Sequence, residues 1–173
     1  MESGLLAGLG LGWWMAASAV QWASAALARG RRPEPPVRHR PADFSVVAPM
    51  AGAADASPAY VAALRALAGD GAEILICVAR GDDGAVAPTR ALWPDAPFLV
   101  GSDTTFNPKM NNVRKGLEAA RRPVVALCDA GILVDADTLC RVAAPLGGSI
   151  GLVLALKAGQ APGTSPPSWR PPT

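Results

Sequence analysis

From residue 44 to residue 156 the apolar positions alternate between two patterns. Short, nearly continuous apolar runs appear at "FSVVAP" (44–49), "EILICVA" (73–79), "FLVG" (98–101), "PVVALCD" (123–129) and "SIGLVLAL" (149–156). Their length is that of strands, and the lack of a polar alternate fits strands covered on both faces. Between them the apolar spacing changes to three and four. "SPAYVAALRALAG" (57–69) has Ser57 to cap it, Pro58 in the first turn and Gly69 at its end, which predicts a helix. "AVAPTRALW" (85–93) predicts a short helix, "NNVRKGLEAAR" (111–121) a longer one, and "DADTLCRVAAPL" (135–146) a last one capped by Asp135. Strands that alternate with helices predict an α/β domain over residues 43–157, a mostly parallel sheet with helices on both faces. Ligands of such sheets bind beyond the carboxyl ends of the strands, so the residues just after each strand are the candidates.

The amino-terminal part follows another rule. Residues 5–28 carry no charge, Glu2 precedes them, and Arg29, Arg31, Arg32, Arg38 and Arg40 follow. A stretch this long predicts a retained transmembrane anchor; a signal peptide would be shorter, with its positive charge in front. Arginines after the helix predict a cytoplasmic soluble part, and a chain this rich in Ala, Gly, Pro and Arg fits a GC-rich bacterial genome, hence a bacterial inner membrane. Gly4, Gly8 and Gly12 recur every fourth residue on one helix face and could pack against another membrane helix. Residues 29–42 are a Pro- and Arg-rich linker, in which the only histidine, His39, is expected to be solvated. Residues 158–173 are rich in Pro, Ser and Gly, contain no acid, and are expected to be disordered.

Composition adds limits. A chain of 173 residues, half of them apolar and few aromatic, has one domain's worth of aliphatic core. A net charge of +2 gives no argument for nucleic acid. Cys77, Cys128 and Cys140 lack metal-site spacing and read as free thiols in a reducing compartment.

The strand ends carry the chemistry. "APMAGA" (48–53), with Pro49 and Gly52, is small enough to let a ligand approach the backbone. It is neither G-x-G-x-x-G nor G-x-x-x-x-G-K, so dinucleotide and P-loop readings lose support. "RGDDG" after the second strand offers Asp82 and Asp83, although Asp-Asp-Gly is also a turn signal. "FNPKMNNV" (106–113) reads as a loop that presents Lys109 and then enters the helix that starts at Asn111 and Asn112. Asp129 ends the fourth strand. Carboxylates on one rim suit a hard divalent cation, Mg or Mn, and that cation with a lysine suits a diphosphate.

"NPKMNN" followed by "CDAGILVDADTL" resembles the ceramide glucosyltransferase family and its bacterial relatives, the hopanoid-associated glycosyltransferases included, over residues 44–156. The resemblance implies a GT-A (Rossmann-like) fold, incomplete here, and transfer of glucose or N-acetylglucosamine from a UDP-sugar to a lipid hydroxyl of ceramide or hopanoid type. It implies that Pro49 and Gly52 line the nucleotide site, that Asp82 or Asp83 lies near the uridine, and that Lys109, Asn111 and Asn112 belong to the donor loop. Asp129 stands where related enzymes place a D-x-D motif that meets the metal; the third position here is Gly131, so one carboxylate is present. The family's catalytic base is a later Asp, and a Q-x-x-R-W type motif comes later still. "SWRPP" (168–172) does not match that motif. The abrupt change after Lys157 suggests truncation or a shifted reading frame, which would leave the nucleotide-binding half without its base. A membrane-tethered module that holds a nucleotide or a partner without turnover is the rival reading. A receiver-like signalling domain fits less well, because its paired acids would follow the first strand.

Overall fold

The computed structural model describes residues 2–30, 36–101 and 107–155, with side chains of residues 11–27 only in the first span. The chain divides into two compact units, Met1–Pro35 and Pro36–Thr173.

The described residues of the first unit form one helix, α1 (Glu2–Gly30), which contains the expected apolar stretch. Trp13, Trp14 and Trp22 are exposed on it. Among the described residues no helix is long and apolar enough to cross a membrane.

The second unit contains β1 (Phe44–Pro49), α2 (Pro58–Gly69), β2 (Glu73–Val78), α3 (Val86–Leu92), β3 (Phe98–Val100), α4 (Pro108–Ala119), β4 (Val124–Leu127) and α5 (Ala136–Ala143). Every strand pairing is parallel, and the order is β3-β2-β1-β4. Central β1 is buried at every residue, which its unbroken apolar run requires. One face of the sheet packs Phe44, Val46, Ala48, Ile74, Ile76 and Val78 against Tyr60, Val61, Leu64 and Leu67 of α2 and Leu139 and Ala143 of α5. The other face, with Val47, Leu75 and Cys77, meets Ala119 and Ala120 at the end of α4. Gly116 allows that approach: a Cβ there would overlap Val47 Cγ1 and lie 3.0 Å from Cys77 Sγ. Cys77 and Cys128 are buried free thiols, as expected. Strand alternation puts Val125 and Leu127 of β4 on the α4 side, where they are exposed.

At the amino ends of the strands a polar cluster is closed on itself. Buried Ser45 donates to Glu73 Oε2 and accepts from the Arg121 and Arg122 amides at 3.2 and 3.0 Å. Arg121 also binds Glu73 through its own amide (2.9 Å) and Nε (3.1 Å).

Three expectations are corrected. The segment around Lys109 is helical: Asn107 Oδ1 caps the Met110 amide at 3.2 Å and Pro108 opens α4, so Lys109, Asn111 and Asn112 lie in its first turns. The proline that argues against a helix interior is favoured at a helix start. The expected strand at 149–156 does not form over the described residues 149–155. Gly147 and Gly148 adopt φ of 134° and 54°, and a Gly147–Ile150 bridge closes a turn there instead. His39 is half-buried and packs edge-on against Phe44 at 5.7 Å between centroids, with Nε2 unpaired, so it is not a solvated linker residue. Short 3-10 turns at Pro41–Asp43 and Ala53–Asp55 were not expected. Linker residues 31–35, loop residues 102–106 and the tail from 156 lie outside the described residues.

Candidate functional site

The strand order creates one switch point. From β1 the chain crosses to β2 and then β3 on one side, whereas β4 pairs on the other side of β1. A crevice beyond the carboxyl ends of β1 and β4 is the expected ligand position in such a sheet. A cleft of about 220 Å3 opens there. Pro49, Met50, Ala51 and Asp55 line it from the β1 end, Lys109 and Asn112 from α4, and Asp129 and Ala130 from the β4 end.

Each wall has a local cause. The Asn107 cap and Pro108 start α4 at the cleft, which brings the positive end of the helix and Lys109 to it. Lys109 Nζ lies 2.7 Å from Asp129 Oδ1, and both side chains remain partly open to water. Asn112 is almost fully buried and donates through Nδ2 to the Met50 carbonyl at 3.3 Å, which ties α4 to the β1 end. Asp55 accepts from the Ala51 amide at 2.7 Å. Tyr60, at the start of α2, donates its hydroxyl to the Cys128 carbonyl at 3.1 Å and so fixes the residue before Asp129. Burial pushes the Tyr60 hydroxyl well above its ordinary pKa. Burial, and then the charge of Asp129, push the Cys128 thiol up to about 11, so it stays protonated and is no nucleophile at neutral pH.

The structure divides the expected site residues. Pro49, Lys109, Asn112 and Asp129 line the cleft together. Asn111, buried in α4, and Gly52 do not line it. Asp83 is occupied by backbone: its Oδ1 accepts from Gly52 at 2.8 Å and from Ala85 at 2.9 Å. It therefore holds the β1 loop, in which Gly52 takes a φ of 80° that favours glycine. Gly84 packs into the same latch, since a Cβ there would lie 3.1 Å from the Ala53 nitrogen. Asp82 forms a two-point pair with Arg80 at 2.9 and 2.8 Å on the surface, and those hydrogen bonds hold its carboxyl below the usual range. Sequence reasoning missed Asp55, which stands in the small-residue stretch after β1 where an acid could have been weighed. Met50, Ala51 and Ala130 gave no signal, because their role comes only from position.

Among the described residues no three or more His, Cys, Asp or Glu side chains gather as a metal cluster. A second cavity, of about 460 Å3, is lined by Val37, His39 and residues 123–125, 146–147 and 150–153, with no carboxylate and no lysine or arginine. It lacks the charges of the first.

The family model described as "Glycosyl transferase family 21" matches residues 11–165, from within α1 to beyond the last described residue. No solved structure matches the chain.

Proposed function

The chain belongs to glycosyl transferase family 21, and from that premise we propose that the cleft between β1 and β4 binds the diphosphate of a UDP-sugar whose sugar passes to a lipid hydroxyl. The observation that carries this reading is the Lys109–Asp129 pair, 2.7 Å apart across the cleft at the switch point. A diphosphate leaving group needs positive charge where its own charge develops. Lys109 and the amino end of α4 supply it from one wall. Asp129, with Asp55 in the same lining, offers carboxylate oxygen to a hard cation from the other. A divalent cation, Mg or Mn, would neutralise the leaving diphosphate there. Among the described residues the lining offers two carboxylates, Asp55 and Asp129, which fit a cation that takes other oxygens from the diphosphate and water. Donor arrival would then exchange partners: Asp129 turns from Lys109 to the cation, and Lys109 turns to phosphate. In the transfer the bond from the sugar's anomeric carbon to the diphosphate oxygen breaks. A bond to the lipid oxygen forms, and the lipid's hydroxyl proton leaves to a base.

The parallel sheet with this switch point supports a GT-A reading of the fold. Residues 11–27, uncharged and exposing three tryptophans, support contact of α1 with a lipid membrane, where the acceptor resides. The basic residues that follow favour a cytoplasmic catalytic side. Glucose and N-acetylglucosamine are the proposed sugars, and ceramide and hopanoid-type alcohols the proposed acceptors.

Calorimetry of the full chain with UDP, UDP-glucose and UDP-N-acetylglucosamine, with and without Mg or Mn, tests the site. Saturable binding that strengthens with cation is expected, and no binding of any of the three overturns the reading. Radiolabelled transfer to ceramide or a hopanoid alcohol in vesicles then tests turnover. Binding without transfer to either acceptor would make the chain a nucleotide-holding module.

A further inference from the structure

Lys115 lies one turn beyond Asn112 on α4 and does not line the cleft. Its ammonium nevertheless reaches the carboxyl edge of the sheet. Nζ donates to the Val78 carbonyl at the end of β2 at 2.7 Å, and to Asn112 Oδ1 at 3.2 Å. Its stem crosses Gly101 just after β3, where an added Cβ would come 2.6 Å from Lys115 Cδ. Through Asn112, which donates to the Met50 carbonyl at 3.3 Å, the same side chain reaches the end of β1. One side chain therefore reaches the ends of three neighbouring strands: β2 by its ammonium, β1 through one amide, and β3 by its stem.

We propose that Lys115 is a positioning residue for the donor site, an inference that rests on the reading of the cleft given above. The amide of Asn112 has two orientations, with oxygen and nitrogen exchanged. The observed one places Oδ1 on the ammonium and Nδ2 on the Met50 carbonyl. The flipped one would set an amide N–H2 against the ammonium, two donors with no acceptor, and an oxygen against the Met50 carbonyl, two acceptors with no donor. Lys115 therefore selects the orientation that pins the Met50–Ala51 wall of the cleft. A partly buried ammonium is costly without partners, and the Val78 carbonyl and Asn112 supply them. Gly101 and the three-residue spacing from Asn112 let the stem lie flat.

The test compares the full wild-type chain with Lys115→Met, Asn112→Ala and the double variant, by NMR of the Asn112 side-chain amide and by UDP titration. Circular dichroism checks that each variant is folded. In Lys115→Met, exchange of the Asn112 amide protons should quicken about tenfold and UDP affinity should fall by a similar factor, the effect of one lost charge-assisted hydrogen bond. The double variant should bind UDP no more weakly than Asn112→Ala alone, because Lys115 acts through Asn112. Lys115→Arg, which keeps the donor, should recover part of the Asn112 protection. Unchanged Asn112 exchange in Lys115→Met, or losses of affinity that multiply in the double variant, would overturn the proposal. A wild-type chain that binds no UDP sinks the donor-site reading instead; the exchange of Asn112 then decides by itself whether Lys115 holds it. Should Lys115→Met fail to fold, the exchange and binding of Lys115→Arg decide, and loss of both despite the retained charge counts against positioning by the ammonium.

Discussion

The two ends of the sheet carry similar groups and do different things. At the amino ends, Ser45, Glu73 and the Arg121 and Arg122 amides satisfy one another around a hydroxyl that water does not reach. At the carboxyl ends, Lys109 and Asp129 pair directly in the lining of an open cleft and remain partly solvated. Each end has a carboxylate paired with a cation. The difference lies in what surrounds the pair. The Ser45 hydroxyl and the Glu73 carboxylate are enclosed and meet their partners within the cluster, although the Arg121 guanidinium stays exposed, and they contribute stability; an ion pair on a cleft wall is worth little in water and can exchange partners. An ion pair at a strand end is therefore a candidate binding site only when it has an open side.

Asp83 tests that rule from the other direction. It belongs to the carboxyl edge, yet its Oδ1 is filled by two backbone amides. It behaves as the closed end does, by holding Gly52 in place.

The sharpest way to break the comparison is Ser45→Ala. It takes the Ser45 acceptor from the Arg122 amide, leaves the Arg121 amide with Glu73 alone and removes one donor from Glu73, with an expected cost of about 1–3 kcal/mol of unfolding free energy in urea titration. UDP affinity of the folded protein should be unchanged. A loss of affinity without loss of stability would show that the two ends are not separable.

Asp83→Ala comes next. Two amides lose their acceptor, and the expected cost is about 1–2 kcal/mol. UDP affinity should also fall, since the β1 loop that forms one wall is released. Stability loss with intact affinity would mean that Gly52 needs no latch.

Asp129→Asn should do the reverse. An ion pair this exposed contributes on the order of 1 kcal/mol or less, so thermal unfolding should hardly move. Cation-dependent strengthening of UDP binding should fall at least tenfold, as loss of a metal-facing group does. Equal UDP binding by both proteins, with and without Mg or Mn, would remove Asp129 from the site.

The smallest effect concerns acid. Burial alone would raise the Glu73 carboxyl, but hydrogen bonds from Ser45 and from the Arg121 amide, with the Arg121 charge, hold it below its ordinary value. A depressed folded-state value means that this contribution is complete above the unfolded carboxylate range, about pH 4.3, and is lost as pH falls through the folded value. Glu73→Gln should flatten the acid limb of a stability–pH curve below about pH 4.3. An unchanged acid limb would show that Glu73 does not carry it.

Much was legible in the sequence where the deciding forces are local. The unbroken run 44–49 became β1, and the Ser57 cap with Pro58 and Gly69 marked α2 to within a residue. Asp135 caps α5 through the Thr138 amide at 2.7 Å, as its position suggested. Local signals misled where they pointed two ways. Pro108 reads equally as a loop residue and as the first residue of a helix, and the Asn107 cap resolves it. "SIGLVLAL" is apolar enough for a strand, but Gly147 and Gly148 turn the chain before it reaches one.

The amino-acid sequence by itself determined the α/β class, the parallel strands, most helix ends and the identity of Lys109, Asn112 and Asp129 as candidates, because periodicity, capping and strand-end position act over a few residues. Only the tertiary structure decided that β4 pairs beside β1, and with it which strand ends share a cleft. It alone separated Asp129, which faces Lys109, from Asp83, which faces backbone, and it brought Asp55 and Lys115 into the picture. Strand order depends on contacts between segments tens of residues apart, and no local pattern records which carboxylate will find open space and which will find an amide.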